Sequence, residues 1–190
     1  MNPNQASDLE LIAWIKRGNT PLFRYIVDRY KGKSIALAAS VVKDASSAED
    51  VVQDAFINVF LNLTNYKPNA AFSTWLYRIV FNASLNAAKK QKHVFFAADI
   101  DETPNADYCV DDEAGFDSDE IELDYTKERI FATLELLSAS EALILRLFYL
   151  MDLTIKDIHD VTELSEAAIK TSLHRARLNF KKRWKETGII

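Results

Sequence analysis

Apolar positions along this chain recur three and four residues apart, and sustained apolar–polar alternation is absent, so the pattern predicts helices and no strands. A first helix is expected over residues 8–17, closed by Gly18 just past its end. A second opens with Thr20 as N-cap and Pro21 at the first helical position and runs through LFRYIVDRY; a third covers about 33–43. In SSAEDVVQDAFINVFLNL, Ser46 and Glu49 are spaced as a capping box, and Val52, Ala55, Val59 and Leu63 recur as a buried stripe. The loop TNYKPNAA leads into FSTWLYRIVFNASLNAAKKQK, a further helix with Ser73 as N-cap and a basic C-terminal end. This half reads as an all-helical bundle of about 90 residues.

Periodicity then stops. Residues 93–124 carry no helical spacing and are rich in Asp and Glu, which like-charge repulsion keeps extended in isolation. Helical signals resume near Asp119 with IELDYTKERIFATLELL, followed by SASEALILRLFYLM, TIKDIHDV and SEAAIKTSLHRARLNFKKRW. Thr154 and Asp157 form a capping-box-like start, and Ser165 caps the last helix. Two helices joined by the brief turn VTEL read as a helix-turn-helix whose second member is the recognition helix. The expectation is an all-α chain of two small helical domains, a bundle over 1–92 and a helix-turn-helix domain over 125–190, joined by an acidic linker over 93–124.

The charge is segregated. Of 28 acidic residues, 12 fall between Val94 and Thr126, where none of the 23 Lys or Arg lies; the rest of the chain has 16 acids against 23 bases, a net of +7 hidden inside an overall −5. Seven of those bases crowd into AIKTSLHRARLNFKKRWK, residues 168–185, which holds no acid. Such segregation points to a polyanionic partner for the two ends. The linker by itself reads either as a solvated connector or as a functional negative strap. Only four Gly and four Pro agree with long helices and few tight turns. No apolar run of membrane-spanning length occurs, the N-terminus lacks signal-peptide features, and a single cysteine, Cys109, fits a reducing cytoplasm. His93, His159 and His174 are scattered, so neither a metal nor another cofactor is expected.

Three constellations carry candidate chemistry. In the last helix, Ile169, Leu173, Ala176, Phe180 and Trp184 form one apolar stripe, leaving Lys170, Thr171, His174 and Arg175 on other faces of its N-terminal half. In a helix-turn-helix this half enters the major groove; Arg177, Lys181, Lys182, Arg183 and Lys185 extend the charge for phosphate contact. The plainer reading is a solvated basic face. The second constellation is aromatic: Tyr66, Phe72, Trp75, Tyr77 and Phe81 fall within 16 residues. They read either as core or as a platform for unstacked bases, with neighbouring Asn side chains reading base edges and Arg78, Lys89, Lys90 and Lys92 following the phosphates. Third, Asp50, Gln53 and Asp54 share one helix face, either solvated or a docking surface for a basic partner. No carboxylate pair is flanked by a nucleophile, so catalytic residues, and with them an enzyme, are not expected.

In their order, AEDVVQDAF, FSTWLYRIVFN, the acidic linker and IKTSLHRAR after a helix-turn-helix resemble a bacterial RNA polymerase sigma factor. The short two-domain form is similar to the extracytoplasmic-function (ECF) group, and the likeness extends over roughly residues 8–186. The resemblance implies a cytoplasmic, non-enzymatic subunit that binds core RNA polymerase, recognises −35 and −10 promoter DNA and promotes its opening. Many relatives are held inactive by an anti-sigma factor, and the resemblance allows for one here. Carried over, Asp50, Gln53 and Asp54 match the helix that docks on the polymerase clamp. Tyr66 and Asn82 match positions that capture a flipped base, Asn58 and Asn62 face that pocket, and Trp75 matches an aromatic beside the melted duplex. Lys170, Thr171, His174 and Arg175 match the −35 contacts, and the linker matches a segment that threads towards the RNA exit path. His159 stands in place of a small Ala inside the helix-turn-helix and Glu163 in place of the frequent turn Gly. Ser172 replaces a common Arg, and Asn86 and Lys89 stand where Asp and Arg are frequent. The rival readings are a helix-turn-helix regulator acting without polymerase and an adaptor that only sequesters proteins.

Overall fold

The computed structural model describes residues 3–42, 44–90 and 126–187, and every regular element among them is helical. In the N-terminal half α1 spans Asp8–Lys16, α2 Phe23–Val42, α3 Ala45–Asn62 and α4 Phe72–Lys90. In the C-terminal half α5 spans Thr126–Glu135, α6 Ala139–Leu145, α7 Ile155–Thr162 and α8 Glu166–Thr187. The acidic segment expected over 93–124 lies outside the described residues, as do His93 and Cys109.

Local chemistry fixes the helix ends. Ser7 Oγ accepts from the Glu10 amide while the Glu10 carboxylate accepts from the Ser7 amide, a capping box that starts α1 and holds the Glu10 carboxyl below its ordinary range. Gly18 follows α1 at φ +103°, a conformation that suits glycine. The sequence expectation differs from the structure at three starts. Thr20 is not an α-helical N-cap: Thr20–Leu22 form a 3₁₀ turn, and the two helices expected after it are a single 20-residue α2 running through Gly32. A mid-helix glycine costs about 1 kcal/mol, and burial of Ile26, Tyr30, Leu37 and Val41 along α2 outweighs it. The cap of α3 is Asp44, whose carboxylate accepts from the Ser47 amide at 2.7 Å, so Ser46 lies inside the helix and not at its cap. At α4 the Trp75 amide reaches the Ala71 carbonyl at 3.2 Å, which puts Ser73 within the first turn.

α2, α3 and α4 pack around Leu11, Ile26, Leu37, Val41, Val52, Val59, Leu76 and Val80, all at most 2% exposed. Within this core Tyr30 meets Phe72 and Tyr77 edge-on, with centroids 5.8 and 5.9 Å apart. The Tyr30 hydroxyl donates to Asp8, which also pairs with Arg29; burial and the Asp8 charge raise the Tyr30 phenol and push Tyr77 up to about 12.

In the C-terminal half, Ser138 and Glu141 box the start of α6, which continues into a π-helical turn over Arg146–Leu150. Thr154 and Asp157 close the capping box of α7, and α7 ends at Glu163, held at φ +63°. Ser165 caps α8, its hydroxyl accepting from the Ala168 amide at 3.2 Å. Ile169, Leu173, Ala176 and Phe180 are buried and Trp184 is half-buried, stacked on Phe180 at 5.8 Å.

The two halves touch. α6 and its π turn lie against α2, where the buried Arg146 guanidinium donates to Ser40 Oγ at 2.7 Å and to Glu135 at 2.6 Å. α7 lies against α4, where Thr74 Oγ1 donates to Asp157 Oδ1 at 2.9 Å and Arg78 pairs with Glu163 at 2.6 Å.

Candidate nucleic-acid interface

α4 sorts its residues by helical phase. Phe72, Thr74, Leu76, Tyr77, Val80, Phe81, Ser84 and Ala88 are buried, whereas Arg78, Asn82, Asn86, Lys89 and Lys90 are exposed at steps of about one turn. The result is a single outward stripe of amides and cations. Asn86 belongs to this stripe, and its spacing four residues after Asn82 marked it.

The aromatic segment divides differently. Tyr66 is 5% exposed, in contact with Phe72 at 5.4 Å and Trp75 at 5.3 Å, and its hydroxyl donates to the Ala70 carbonyl at 2.8 Å. Burial, aided by the Asp8 charge, raises its phenol. Tyr66, Phe72, Tyr77 and Phe81 are thus core, and Trp75 alone of the five keeps a partly open face. Beside Tyr66 an open cleft of about 510 Å³ runs between Ser7, Asp8 and Leu9 at the start of α1 and residues 66–72. Lys16 Nζ donates to the Tyr66 carbonyl at 3.0 Å and ties α1 to this loop.

At the end of α3, the Asn62 side chain donates to Asn58 Oδ1 at 2.5 Å and to the Asn58 carbonyl at 3.0 Å, and Asn65 donates to Asn62 Oδ1 at 3.3 Å. Asn58 is exposed and Asn62 half-buried, so the pair forms a fixed polar ladder. On the same helix Asp50, Gln53 and Asp54 are exposed together. Ile57 and Leu61, 53% and 69% exposed, continue that face one and two turns on. Sequence reasoning stopped at the three polar residues; the spacing 50, 54, 57, 61 carried the apolar extension.

In the helix-turn-helix, Lys170 and His174 are exposed and Thr171 is half-buried. Arg175 is half-buried, with Nε 3.8 Å from Glu141 at the start of α6, a carboxylate that Asn179 also reaches at 2.5 Å. Arg177 lies over Phe148 and Tyr149, 5.4 and 5.6 Å from their centroids, and donates from Nε to the Tyr149 hydroxyl at 2.8 Å. Lys181 is exposed. His159 lies at the surface and closes the turn, Nδ1 2.7 Å from the Leu164 carbonyl, while Ser172 is buried on the packing side. Among the described residues no three His, Cys, Asp or Glu gather to hold a metal, and no helix is long and apolar enough to cross a membrane.

A bundle with an amide-and-cation stripe, followed by a capped helix-turn-helix whose second helix is basic, offers two surfaces of a chemistry that suits nucleic acid. Comparison with known proteins defines it further. The sigma-70 region 2 profile matches residues 26–94 and the sigma-70 region 4 profile residues 127–179. The chain is 29% identical to the ECF RNA polymerase sigma factor SigW of Bacillus subtilis, covering 92% of this chain and 95% of that one. It is 26% identical to the ECF RNA polymerase sigma-E factor of Escherichia coli K12, over 91% and 92% of the two chains. A shorter stretch, 43% of this chain and 42% of the other, is 39% identical to the RNA polymerase sigma-H factor of Pseudomonas aeruginosa. Among solved structures, CnrH in complex with the cytosolic domain of CnrY superposes with a TM-score of 0.60 at 21% identity, covering 92% of this chain and 95% of that chain. The sigma factor RpoE in complex with the anti-sigma factor NepR from Bartonella quintana gives 0.60 at 18%, covering 86% and 96%. The chain belongs to the sigma-70 family. It is an ECF-type sigma factor, a promoter-recognition protein that works on RNA polymerase, and the reading as a regulator independent of polymerase is not favoured.

Proposed function

We propose that the two halves divide promoter recognition between them. Residues 1–92 dock on core polymerase and take the −10 element, residues 125–190 hold the −35 element, and the acidic segment 93–124 runs between them towards the RNA exit path. The observation that carries this reading is the stripe Arg78, Asn82, Asn86, Lys89 and Lys90, which presents base-reading amides and phosphate-binding cations on one exposed side of α4.

The mechanism is non-covalent. Duplex DNA is anchored by Lys170, Thr171, His174 and Arg175 in the major groove, with Arg177 and Lys181 towards the phosphates. Opening then costs the unstacking of a few base steps, and binding of the exposed bases offsets that cost. Asn82 and the Asn58–Asn62 ladder supply hydrogen-bonding groups, Trp75 supplies a ring face, and the cleft beside Tyr66 is roomy enough for an extruded base. Arg78, Lys89 and Lys90 neutralise the adjoining backbone. The exposed face of Asp50, Gln53 and Asp54, extended by Ile57 and Leu61, suits a basic helix of the polymerase with an apolar seam. The chain acts in the cytoplasm without enzymatic activity, and an anti-sigma factor is a further partner, as it is for the Bartonella RpoE structure.

Size-exclusion chromatography with core polymerase tests this. The wild-type chain co-elutes, and Asp50→Lys with Asp54→Lys abolishes co-elution while leaving the helical circular dichroism unchanged. Co-elution of the doubly reversed variant at wild-type affinity would remove α3 from the docking surface.

A further inference from the structure

The contacts between the two halves fall on the surface that the proposed function gives to promoter DNA. Thr74 and Arg78 lie on the N-terminal half of α4, one helical turn apart, and both are held by carboxylates of the helix-turn-helix. Thr74 is 1% exposed and donates to Asp157 at 2.9 Å; Arg78 pairs with Glu163 at 2.6 Å. A third contact, Arg146 to Ser40 at 2.7 Å, lies away from this surface, on α2, with both residues buried. By contrast Asp50, Gln53 and Asp54 on α3 and Lys170 and His174 on α8 stay exposed in the same arrangement.

We infer that the helix-turn-helix domain is an intramolecular latch: Glu163 occupies Arg78 as a carboxylate stand-in for a DNA phosphate, and α7 covers the start of the −10-facing helix until the domains part. Carboxylate and phosphate present the same chemistry to a guanidinium, two or more acceptor oxygens with negative charge. With Glu163 in place the charge of Arg78 is neutralised and an approaching phosphate meets a like-charged carboxylate, so Glu163 and the DNA backbone compete for one cation. The pair is half-exposed, 49% and 72% at its two side chains, and is therefore screened by salt and readily exchanged. The cover is selective. Polymerase docking through α3 and −35 contact through α8 need no prior release, whereas −10 capture does. An unbound chain is then held back from stray single-stranded nucleic acid and becomes competent only when its halves are drawn apart. This inference rests on the assignment of α4 to the −10 element.

The test uses the full chain with Cys109→Ser and dyes attached at Lys33→Cys on α2 and Glu128→Cys on α5, exposed positions outside the proposed contact surfaces. Two variants release the latch by different means. Ser40→Lys sets a second cation against buried Arg146, and Glu163→Gln removes the carboxylate charge while keeping the side chain's size. Ser40→Lys is expected to lower energy transfer between the dyes and to tighten binding of a fluorescein-labelled single-stranded A/T-rich DNA by about tenfold, since the fraction in the competent state limits apparent affinity. Glu163→Gln, which removes only a screened ion pair, should shift both in the same direction, by about two- to fivefold in affinity. Raising salt should move wild-type energy transfer towards the variants. Unchanged energy transfer in both variants would overturn the latch, as would parted domains with unchanged DNA affinity. In the Ser40→Lys background, Asn82→Ala should then weaken the DNA again. Domains that part while affinity ignores Asn82→Ala would locate the failure in the assignment of α4 rather than in the closed state.

Discussion

Arg78 and Glu163, 85 residues apart in sequence, meet at 2.6 Å across the two halves, and Glu163 does so from a left-handed backbone at φ +63°. Left-handed backbone costs an L-residue about 1–2 kcal/mol, while glycine there loses only its own extra chain entropy, about 0.5–1 kcal/mol. Its exposed ion pair returns little. Glu163→Gly should therefore leave stability unchanged or raise it by up to about 1 kcal/mol, read from urea unfolding. A loss above about 1 kcal/mol would mean that the Arg78 contact is far stronger than a screened pair.

Tyr66 separates a packing role from a promoter role. Tyr66→Phe keeps the ring against Phe72 and Trp75 and forfeits one part-buried hydrogen bond to the Ala70 carbonyl, a cost of about 1 kcal/mol. Tyr66→Ala empties the same site and should cost about 3–5 kcal/mol. Thermal melts should rank them so, with promoter opening retained in Tyr66→Phe at temperatures where it is folded.

The recognition helix should divide three ways. Lys170→Ala removes an exposed cation and should weaken a −35 duplex by about tenfold without loss of stability. Arg175→Ala should weaken binding and also lower stability by about 0.5–1 kcal/mol, because the guanidinium lies 3.8 Å from Glu141. Lys181→Ala should act on all sequences alike and reduce the slope of log affinity against log salt by about 1. Fluorescence anisotropy over a salt series reads all three.

Asp157 gives a pH dependence of definite sign. Burial pushes its carboxyl up, but hydrogen bonds from Thr154 and Thr74 outweigh that and hold it below the ordinary value of 3.8. A depressed folded value means that the ionised group's contribution is complete above about pH 3.8 and is lost as pH falls through the folded value. Asp157→Ala should thus be less stable than wild type at about pH 6, and the gap should narrow at about pH 3. A gap that widens on acidification would contradict the cap-and-contact role.

Much of this architecture could be read from spacing, because the helices that matter carry their own instructions. Val52, Ala55, Val59 and Leu63 kept period, Thr154 and Asp157 kept the cap of α7, and the stripe from Ile169 to Trp184 separated the packing side of α8 from its basic side. The expectation broke where two local signals competed or where a long-range contact decided. Asp44 and Ser46 are both good caps, and the carboxylate took the helix start. The second and third helices were expected to be separate, yet burial on either side of Gly32 carried α2 straight through. The S-x-x-E boxes at Ser7 and Ser138 were legible by the same rule that was applied at Ser46. Three features depended on partners far along the chain: the burial of Tyr66, the seat of Arg177 on Phe148 and Tyr149, and the contacts of Thr74 and Arg78. No periodicity encodes such pairings.

Promoter opening by reconstituted holoenzyme, followed by permanganate reactivity of unpaired thymines beside −35 duplex affinity, tests the division of labour most directly. The account predicts that Asn82→Ala loses opening by about tenfold or more with duplex affinity nearly intact, whereas Lys170→Ala loses duplex affinity while its opening recovers at higher protein concentration. Normal opening by Asn82→Ala, or opening in Lys170→Ala that no excess of protein restores, would contradict it.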